Sequence, residues 1–509
     1  MVGTSKPPRV LLVAMEAAIK PKIHTYAGGL GILVGDKLRA SEDMGLDVNV
    51  LTFAYPQGYV QHKIEEGQVT CETQDYSPSK HFKKAGEAEI RTKFGQVAYT
   101  LYRDGHAWLV DTELAPRLYV EACQEDRLKK EIVLGKVAAS LFKDLEADIL
   151  HVEESHGVFA ALEVRKTPTG KQTPIIFTTH TPLLHGHERW EATQVEQYYG
   201  KIGYEGSINT SDVLRSLANK VNAVSRMHAD NMRCMSQWEL DYVTNGVRLS
   251  WMDESVKEVV ESSVGDIHEE SCRLAHAKAV TFPELRDAKT CCRTRLVDYV
   301  NKHGVISEDF SPDAFTIGAA RRFSIYKRMD LLLKRMDRLE SYAGKHPLQI
   351  VYSGLAHPHD TAGIQQIEKM LQQIGGTRKV KLAFLPGYDS EMGKLMVAGS
   401  DIWLDNPKEK DEACGTSWMK ACINGTPMLG TYFGGVPEYL IDGQNAYMIG
   451  PGTDEEQSLW LAEKVKVAMN QFYEKSREFY DVARSALASS AGMTARRMMK
   501  EYFNRIYKF

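Results

Sequence analysis

Short apolar runs rich in valine, isoleucine and leucine alternate along the chain with longer amphipathic stretches. This alternation is typical of parallel strands joined by helices, so it predicts an α/β fold. An early group of runs predicts one sheet, with strands at Val10–Ala14, Val48–Phe53, Trp108–Asp111, Ile149–Glu153, Ile175–His180 and Val221–Ser225. A later group predicts a second sheet, with strands at Phe315–Ala319, Leu348–Ser353, Val380–Leu385, Ile402–Leu404 and Met428–Thr431.

The length of 509 residues exceeds what one hydrophobic core usually supports and predicts two Rossmann-like domains. The polar, helix-patterned stretch between the two groups predicts a connector, and the stretch after about Glu455 is helical in pattern, with no proline. The predicted division is 1–250 for the first domain, 251–311 for the connector, 312–475 for the second domain and 476–509 for C-terminal helices.

Composition and charge exclude several classes of protein. The net charge of −4 gives no long-range attraction to nucleic acid or to an anionic membrane. No apolar stretch approaches the roughly 20 residues of a membrane span, and the run Val10–Met15 is short enough to be a buried first strand rather than a signal peptide. The eight cysteines are scattered without metal-ligand spacing, which predicts a reducing, cytoplasmic setting and no metal site.

The segment from Asp411 to Pro437 carries the strongest chemical signal, because Lys420 stands eight positions after Glu412. Residues at that spacing project to one side of a helix, so a helical segment would turn Lys420 toward the region that Glu412 shapes. The segment resembles the donor-sugar segment of many retaining glycosyltransferases, in which a second glutamate stands at the position of Lys420. A lysine there indicates either a phosphate clamp or a Schiff base to pyridoxal phosphate.

The residues around this lysine resemble the cofactor segment of the alpha-glucan phosphorylases. The resemblance covers Glu412, Ala413, Cys414, Gly415, Thr416, Ser417, Trp418, Met419 and Lys420, and it recurs along most of the chain. It implies the GT-B architecture, in which two facing Rossmann-like domains hold the active site in the cleft between them and the last helices cross back to the first domain. It also implies that Lys420 binds pyridoxal 5'-phosphate, with Thr416 and Gly415 beside the cofactor and Glu412, Ala413, Cys414 and Gly415 beside the sugar.

A glycine-rich loop, Tyr26 to Gly31, follows the first predicted strand and precedes a helical run. Glycines at a helix N-terminus let backbone N–H groups approach an anion closely. The loop resembles the phosphorylase loop that contacts substrate phosphate and sugar, which implies that Gly28, Gly29, Leu30 and Gly31 bind ligand. Glu16, after the same strand, resembles a family glutamate that pairs with the phosphate-binding arginine.

Four cations lie within the eight residues Arg321 to Arg328, just after the first strand of the second domain, where ligands collect in α/β folds. Such a cluster is also common on a solvated face. The resemblance implies that Arg322 and Lys327 bind the substrate and cofactor phosphates, that Arg321 lies beside the cofactor and that Tyr326 lies beside the glucose.

Two polar residues at strand ends are further candidates. His180 ends a predicted strand, and Asn245 belongs to an Asn-Gly pair that would otherwise indicate a simple turn. The resemblance implies that both contact the 6-hydroxyl of the glucosyl unit and that Tyr388 lies near the cofactor. His228 and the segment His151 to His156 are interpreted as structural or supporting.

Other features weaken or qualify the resemblance. The histidine pairs His185 with His187 and His357 with His359 have no third ligand at metal spacing and predict surface loops. Trp418, Asp389 and Ala18 depart from the residues usual in long phosphorylases, so cofactor contacts are expected to differ. The long members' N-terminal regulatory extension is not expected, so control by phosphorylation or nucleotide effectors is not implied. Residues Gly434 to Glu438 resemble nucleotide-sugar transferases more closely.

The resemblance implies a short alpha-glucan phosphorylase that moves a glucosyl unit from an alpha-1,4-glucan or maltodextrin to inorganic phosphate. The product is alpha-glucose 1-phosphate, formed with retention, and a homo-oligomer is possible. One alternative is a retaining glucosyltransferase that uses a nucleotide sugar, with Arg322 and Lys327 on the diphosphate and Lys420 as a further cation. A second alternative is a non-catalytic glucan-binding protein. In such a protein Lys420 or the basic pair Arg322 and Lys327 is expected to be replaced, and neither replacement is seen.

Overall fold

The computed structural model describes residues 6–65, 67–183, 186–376 and 379–509. Its strands in chain order are β1 Val10–Ala14, β2 Val48–Phe53, β3 Gln61–Glu65, β4 Gln68–Glu72, β5 Lys83–Thr92, β6 Gly95–Asp104, β7 Ala107–Asp111, β8 Ile149–Glu153, β9 Ile175–Thr178, β10 Arg189–Glu191, β11 Ser207–Asn209, β12 Lys220–Ala223, β13 Asp241–Tyr242, β14 Val305–Ile306, β15 Phe315–Ala320, β16 Leu348–Ser353, β17 Val380–Leu385, β18 Ile402–Asp405, β19 Met428–Thr431 and β20 Ala446–Ile449.

The α-helices are α1 Gly29–Asp43, α2 Pro78–His81, α3 Gln124–Asp144, α4 Val158–Lys166, α5 Ala192–Tyr198, α6 Thr210–Leu217, α7 Arg226–Ser236, α8 Glu254–Val264, α9 Phe282–His303, α10 Met336–Ala343, α11 Thr361–Ile374, α12 Ser390–Gly399, α13 Ser417–Cys422, α14 Val436–Tyr439, α15 Asp454–Glu474, α16 Ser476–Ser489 and α17 Ala495–Glu501. Side chains define several helix starts. Thr281 and Thr453 each form a capping box, at the starts of α9 and α15, and Ser225 caps α7.

The chain forms two compact units. Unit 1 comprises Met1–Tyr59, Thr73–Asn245 and Met498–Phe509, and unit 2 comprises Val60–Glu72 and Gly246–Arg497. Compared with the predicted division, the 251–311 stretch belongs to unit 2, a hairpin from the first half of the chain joins unit 2, and only the last twelve residues of the C-terminal helices join unit 1.

Unit 1 is built on a nine-stranded sheet in the order β13-β12-β9-β8-β1-β2-β7-β6-β5. The strands from β13 to β7 are parallel, and β6 and β5 add an antiparallel edge. Every residue of β1, β2, β8 and β9 is buried, as expected when helices cover both faces of a parallel sheet. The chain leaves β1 toward β2 and returns on the other side at β8, so a ligand crevice is expected at the carboxyl ends of β1 and β8.

Unit 2 is built on a seven-stranded sheet in the order β14-β17-β16-β15-β18-β19-β20. All its strands are parallel except β14, which pairs antiparallel with β17. The strand order reverses between β15 and β18, so the corresponding crevice lies at their carboxyl ends.

The predicted α/β fold class with two Rossmann-like sheets is confirmed. The eleven predicted strands are all present, with ends that differ by up to two residues. The sequence pattern missed the edge strands β5 and β6, because only two of their twenty residues, Val97 and Tyr102, are buried. No helix in the described part of the chain is both long enough and apolar enough to cross a membrane.

Candidate functional site

Glu16 follows β1 and fastens the glycine-rich loop of unit 1. Its buried carboxylate accepts hydrogen bonds from the backbone N–H groups of Ala27, at 2.6 Å, and Gly28, at 3.2 Å. The hydroxyl of Tyr119 donates to the other oxygen at 3.3 Å. Within unit 1, Glu16 therefore shapes the loop through its amides, a role that the resemblance to an arginine-pairing glutamate did not include.

Two kinds of glycine occupy this loop. A Cβ on Gly31 would come within 2.4 Å of Tyr26 Cβ and 2.7 Å of a Glu16 oxygen, so only glycine fits there. A Cβ on Gly28 or Gly29 would meet no atom within 4 Å. Because α1 begins at Gly29 without a side-chain cap, the open side of Gly28 and Gly29 suits an anion at a helix N-terminus.

His180 follows β9 and is fixed by two neighbouring glutamates. Its backbone N–H donates to Glu154 Oε2 at 2.8 Å, and the hydroxyl of Thr181 donates to the same oxygen at 2.8 Å. Its ring nitrogen Nε2 lies 2.6 Å from Glu153 Oε2. The pKa of Glu154 is lowered despite its burial, because His180, His156 and His187 lie nearby. The strand-end histidine is thus part of an ordered polar turn.

Beneath His180 lies a buried ion pair that sequence reasoning missed. Lys37 Nζ in α1 contacts Glu153 Oε1 at 2.5 Å, and both side chains have no exposed surface. Lys37 also donates to the hydroxyl of Tyr502 at 3.0 Å. The sequence did carry a signal that Lys37 is buried, because Lys37 lies on the same face of α1 as the buried residues Leu33, Val34 and Ser41.

A second polar cluster of unit 1 surrounds Arg127, beside a cavity of about 250 Å³ that Glu154 and Thr181 also line. Ligand atoms of Glu131, His156 and Glu188 lie within 4.8 Å of one another. Arg127 contacts Glu188 at 2.7 Å and His156 Nε2 at 2.7 Å. Because a guanidinium only donates, it occupies the histidine lone pair that a metal ion would need. Burial and the nearby Glu188 raise the pKa of Glu131 well above its ordinary value, which favours a neutral carboxyl.

The other candidates of unit 1 have structural contacts. His228 is buried and lies with Nε2 3.3 Å from the carbonyl of Thr181, and burial lowers its pKa to about 4. Asn245 is buried at the end of unit 1, with its backbone N–H bonded to Val224 O at 3.1 Å. The surface-loop prediction is wrong for His187, which is buried because it bonds Ser211 and packs on Trp238. Its partner His185 lies outside the described residues.

In unit 2 the cations after β15 divide into buried and outward-facing residues. Arg321 is buried and pairs with the Asp405 carboxylate at the end of β18. Arg328 is buried and bonds the carbonyls of Asn406 and Pro407. Arg322, in contrast, is exposed. Arg321 already has a carboxylate partner, so a contact between Arg321 and a cofactor would have to form in addition to that ion pair or replace it.

Lys327 and Glu412, two predicted ligand-binding residues, are paired with each other. Each side chain retains 13% exposure, so the pair is accessible from solvent. Burial lowers the pKa of Lys327, but Glu412 more than offsets this and raises the pKa above its ordinary value. A phosphate group that approached Lys327 would compete with Glu412 for the ammonium.

Lys420 is buried, with 7% exposure, and its ammonium lies 3.8 Å from the ring centroid of Trp251. Glu412 and Lys420 do not lie on one helix, because α13 begins only at Ser417, so the helical spacing considered for the pair does not apply. Trp251 was missed as a site residue, since the sequence places it in a polar connector far from Lys420. Asn424 joins the segment that contains Trp251 to helix α13, because its side-chain amide donates to the carbonyls of Trp251 and Lys420, each at 2.8 Å.

Comparison with known proteins gives matches over both units. The carbohydrate phosphorylase family model matches residues 205–508, which is more than half of the chain. The chain belongs to the carbohydrate phosphorylase family. A second family model, starch synthase catalytic domain, matches residues 9–245.

Relatives of this carbohydrate phosphorylase cover nearly all of its chain. It is 26% identical to a maltodextrin phosphorylase of Thermococcus litoralis, over 98% of this chain and 70% of that protein. It is 26% identical to a glycogen phosphorylase of Aquifex aeolicus, over 99% of this chain and 86% of that protein. It is 24% identical to a glycogen synthase of Haemophilus influenzae, over 85% of each.

The departures from long phosphorylases have local physical reasons in this carbohydrate phosphorylase. Asp389 caps α12 by accepting a hydrogen bond from the backbone N–H of Met392 at 2.8 Å. Trp418 is completely buried. Ala18 lies against α1, where a Cβ on Gly35 would come within 2.3 Å of the Ala18 carbonyl oxygen. Gly434 has a positive φ of 49° and packs so closely on Ala413 that a Cβ would lie 2.6 Å from its carbonyl oxygen.

Proposed function

We propose that this carbohydrate phosphorylase is an alpha-glucan phosphorylase that transfers a terminal glucosyl unit to inorganic phosphate. The substrate would be an alpha-1,4-glucan or maltodextrin, and the product alpha-glucose 1-phosphate would form with retention. The relatives named maltodextrin and glycogen phosphorylase support this substrate class. The observation that carries the proposal is Lys420, which is buried against Trp251 within the segment that resembles the family's cofactor site.

The residues around Lys420 fit pyridoxal phosphate. Gly393 lets Tyr388 pack closely beside Trp251, the aromatic neighbour of Lys420, since a Cβ at Gly393 would lie 2.7 Å from Tyr388 Oη and 3.5 Å from the Trp251 ring. Lys420 would hold the cofactor, with Tyr388, Trp251 and Thr416 around it. When bound, the cofactor supplies a phosphate group that exchanges a proton with the substrate phosphate.

Cations and hydroxyl-binding groups of the chain have separate tasks in this reaction. Lys327 and the exposed Arg322 bind phosphate by charge, which neutralises the crowded anions. Entry of phosphate would draw Lys327 from Glu412 and leave Glu412 to accept hydrogen bonds from sugar hydroxyls. In unit 1, His180 and Asn245 would orient the glucosyl unit, and the open amides at Gly28 and Gly29 would bind substrate oxygens.

A nucleotide-sugar glucosyltransferase remains a second candidate. It is favoured by the match of residues 9–245 to the starch synthase catalytic domain and by the relative named glycogen synthase. In this enzyme Arg322 and Lys327 would bind the diphosphate of the donor. Lys420 would then be an additional cation rather than the cofactor lysine.

The deciding experiment measures both the cofactor and the reaction. Purified protein is reduced with borohydride and mapped for a pyridoxyl group on Lys420, and maltoheptaose with inorganic phosphate is assayed for glucose 1-phosphate. Cofactor on Lys420 together with glucose 1-phosphate supports the phosphorylase. A colourless protein that extends maltoheptaose from UDP-glucose or ADP-glucose supports the transferase instead. A cytoplasmic location and a homo-oligomeric state stay predictions from the sequence.

A further inference from the structure

The hydrogen bonds of His180 define which of its ring nitrogens can bind a ligand. Nε2 lies 2.6 Å from Glu153 Oε2, and Nδ1 has no hydrogen-bond partner among the described residues. The His180 side chain keeps 13% exposure, whereas Glu153 has none. Nδ1 is therefore the nitrogen left for a ligand.

Glu153 is held as an ion, which decides the direction of this bond. Its burial favours the neutral acid, but Lys37, His151 and His180 more than offset burial and lower its pKa. Lys37 contacts the second carboxylate oxygen, and its own pKa is raised by Glu153 and Tyr502 against the effect of burial. An ionised carboxylate only accepts, so Nε2 of His180 must carry the proton.

Lys37 supplies the positive charge that balances the Glu153 carboxylate, so the hydrogen bond from His180 to Glu153 does not require a charged imidazolium. The ammonium neutralises Glu153, and Tyr502 adds a hydroxyl at 3.0 Å and a ring face at 4.3 Å from Nζ. A neutral His180 with a proton on Nε2 has a lone pair on Nδ1, which accepts a hydrogen bond. Glu153 cannot act as a nucleophile, because it has no exposed surface and both oxygens have partners.

We propose that Glu153, fixed by Lys37, is a positioning residue that holds His180 as the Nε2–H tautomer, so that Nδ1 accepts a hydrogen bond from a hydroxyl of the glucosyl unit. This inference rests on the proposed phosphorylase function for its ligand. In this proposal the buried ion pair of Lys37 and Glu153 determines that His180 presents a hydrogen-bond acceptor, rather than a donor, to the sugar. A hydroxyl donates to such a nitrogen, whereas an unprotonated phosphate oxygen does not.

The tautomer is tested directly by nitrogen-15 NMR of histidine-labelled protein, with the His180 signals identified by their loss in His180→Ala. We expect a protonated Nε2 and an unprotonated Nδ1 in the wild type, and a mixture of tautomers in Glu153→Gln, since an amide can accept or donate. Because Glu153→Gln leaves Lys37 without a carboxylate, the double variant Lys37→Met/Glu153→Gln is measured beside it. A wild type protonated on Nδ1, or a tautomer unchanged in both variants, overturns the proposal.

Kinetics test the ligand. In glucan synthesis, Glu153→Gln should lower kcat/KM for alpha-glucose 1-phosphate by about tenfold or more, the scale seen when a histidine loses its second hydrogen bond. The loss should be absent with 6-deoxy-alpha-glucose 1-phosphate and in a His180→Ala background. Equal losses with both substrates, or additive losses with His180→Ala, would contradict the role through His180. A wild type that makes no glucan from glucose 1-phosphate overturns the phosphorylase function and this ligand, while the NMR result still decides the tautomer.

Discussion

Two buried lysines show how differently the two units use the same side chain. Lys37 in unit 1 has no exposed surface and contacts a carboxylate and a phenol. Lys420 in unit 2 is 7% exposed and lies over an indole ring. The pKa of Lys37 is raised, because Glu153 and Tyr502 outweigh the opposing effect of burial, so Lys37 is an ammonium at neutral pH.

The two lysines differ in the kind of group that contacts each ammonium in the folded protein. An ammonium paired with a carboxylate is fixed as a charge, and it organises neighbours such as Glu153 and His180. A lysine over an aromatic face makes a cation–π contact, which is weaker than a buried ion pair. Burial alone therefore does not mark a reactive lysine.

The largest expected effect tests Lys420. Lys420→Arg keeps the charge over Trp251 but cannot hold the cofactor, so phosphorolysis should fall by at least about 10²-fold, the scale of a lost proton-transfer group. The matched control is Lys464→Arg, since Lys464 pairs with Asp442 at the surface. The measurement is glucose 1-phosphate production together with bound pyridoxal phosphate. Full activity in Lys420→Arg would remove the contrast between the two lysines.

The next effect tests Lys37 as a structural charge. Lys37→Met leaves the Glu153 carboxylate buried without its cation, which should lower the free energy of unfolding by about 3–5 kcal/mol. Lys37→Met/Glu153→Gln removes both charges and should recover a large part of that loss. Urea unfolding midpoints measure both, with Lys464→Met in the surface pair with Asp442 as the control expected to show no change. Equal midpoints for Lys37→Met and the wild type would contradict the role assigned to this pair.

Neighbouring arginines repeat the contrast on a smaller scale. Arg321→Met leaves Asp405 buried without its partner and should cost about 3 kcal/mol of stability. Arg322→Met, at an exposed position, should change stability by less than about 0.5 kcal/mol. It should instead raise the KM for phosphate about tenfold or more, through loss of a charge-assisted hydrogen bond. The reverse pattern, with Arg322 affecting stability and Arg321 affecting KM, would exchange their roles.

The smallest effect is a pH dependence in the Lys37 network. Burial, with Lys37 and His180 nearby, lowers the pKa of His151 to about 3 against the opposing effect of Glu153. Since the unfolded histidine has a pKa of about 6.5, the folded state binds fewer protons and loses stability as pH falls below that value. The stability advantage of the wild type over His151→Gln should therefore shrink by about 1.4 kcal/mol per pH unit between roughly pH 6 and 4. A constant difference across that range, measured by urea unfolding, would show that His151 does not titrate in this way.

The sequence predicted the sheets well, whereas the roles of the site residues stay predictions. Strands such as β1 and β16 were found with their exact ends, because continuous apolar runs are the direct signature of strands buried on both faces. The edge strands β5 and β6 were missed for the opposite reason, whereas the edge strand β20 was missed although it is buried. Glu412 and Lys420 stay predicted ligand residues, and no single helix joins them, because α13 begins only at Ser417.

The sequence by itself determined the α/β pattern, the glycines at the start of α1 and the resemblance of the segment around Lys420 to the family's cofactor segment, because each depends on residues close together in the chain. Only the tertiary structure decided which charges meet. Lys37 and Glu153 are 116 positions apart, and Arg321 and Asp405 are 84 apart. Periodicity shows which face of an element is buried, but the partner of a buried charge depends on how strands and helices from distant parts of the chain pack together.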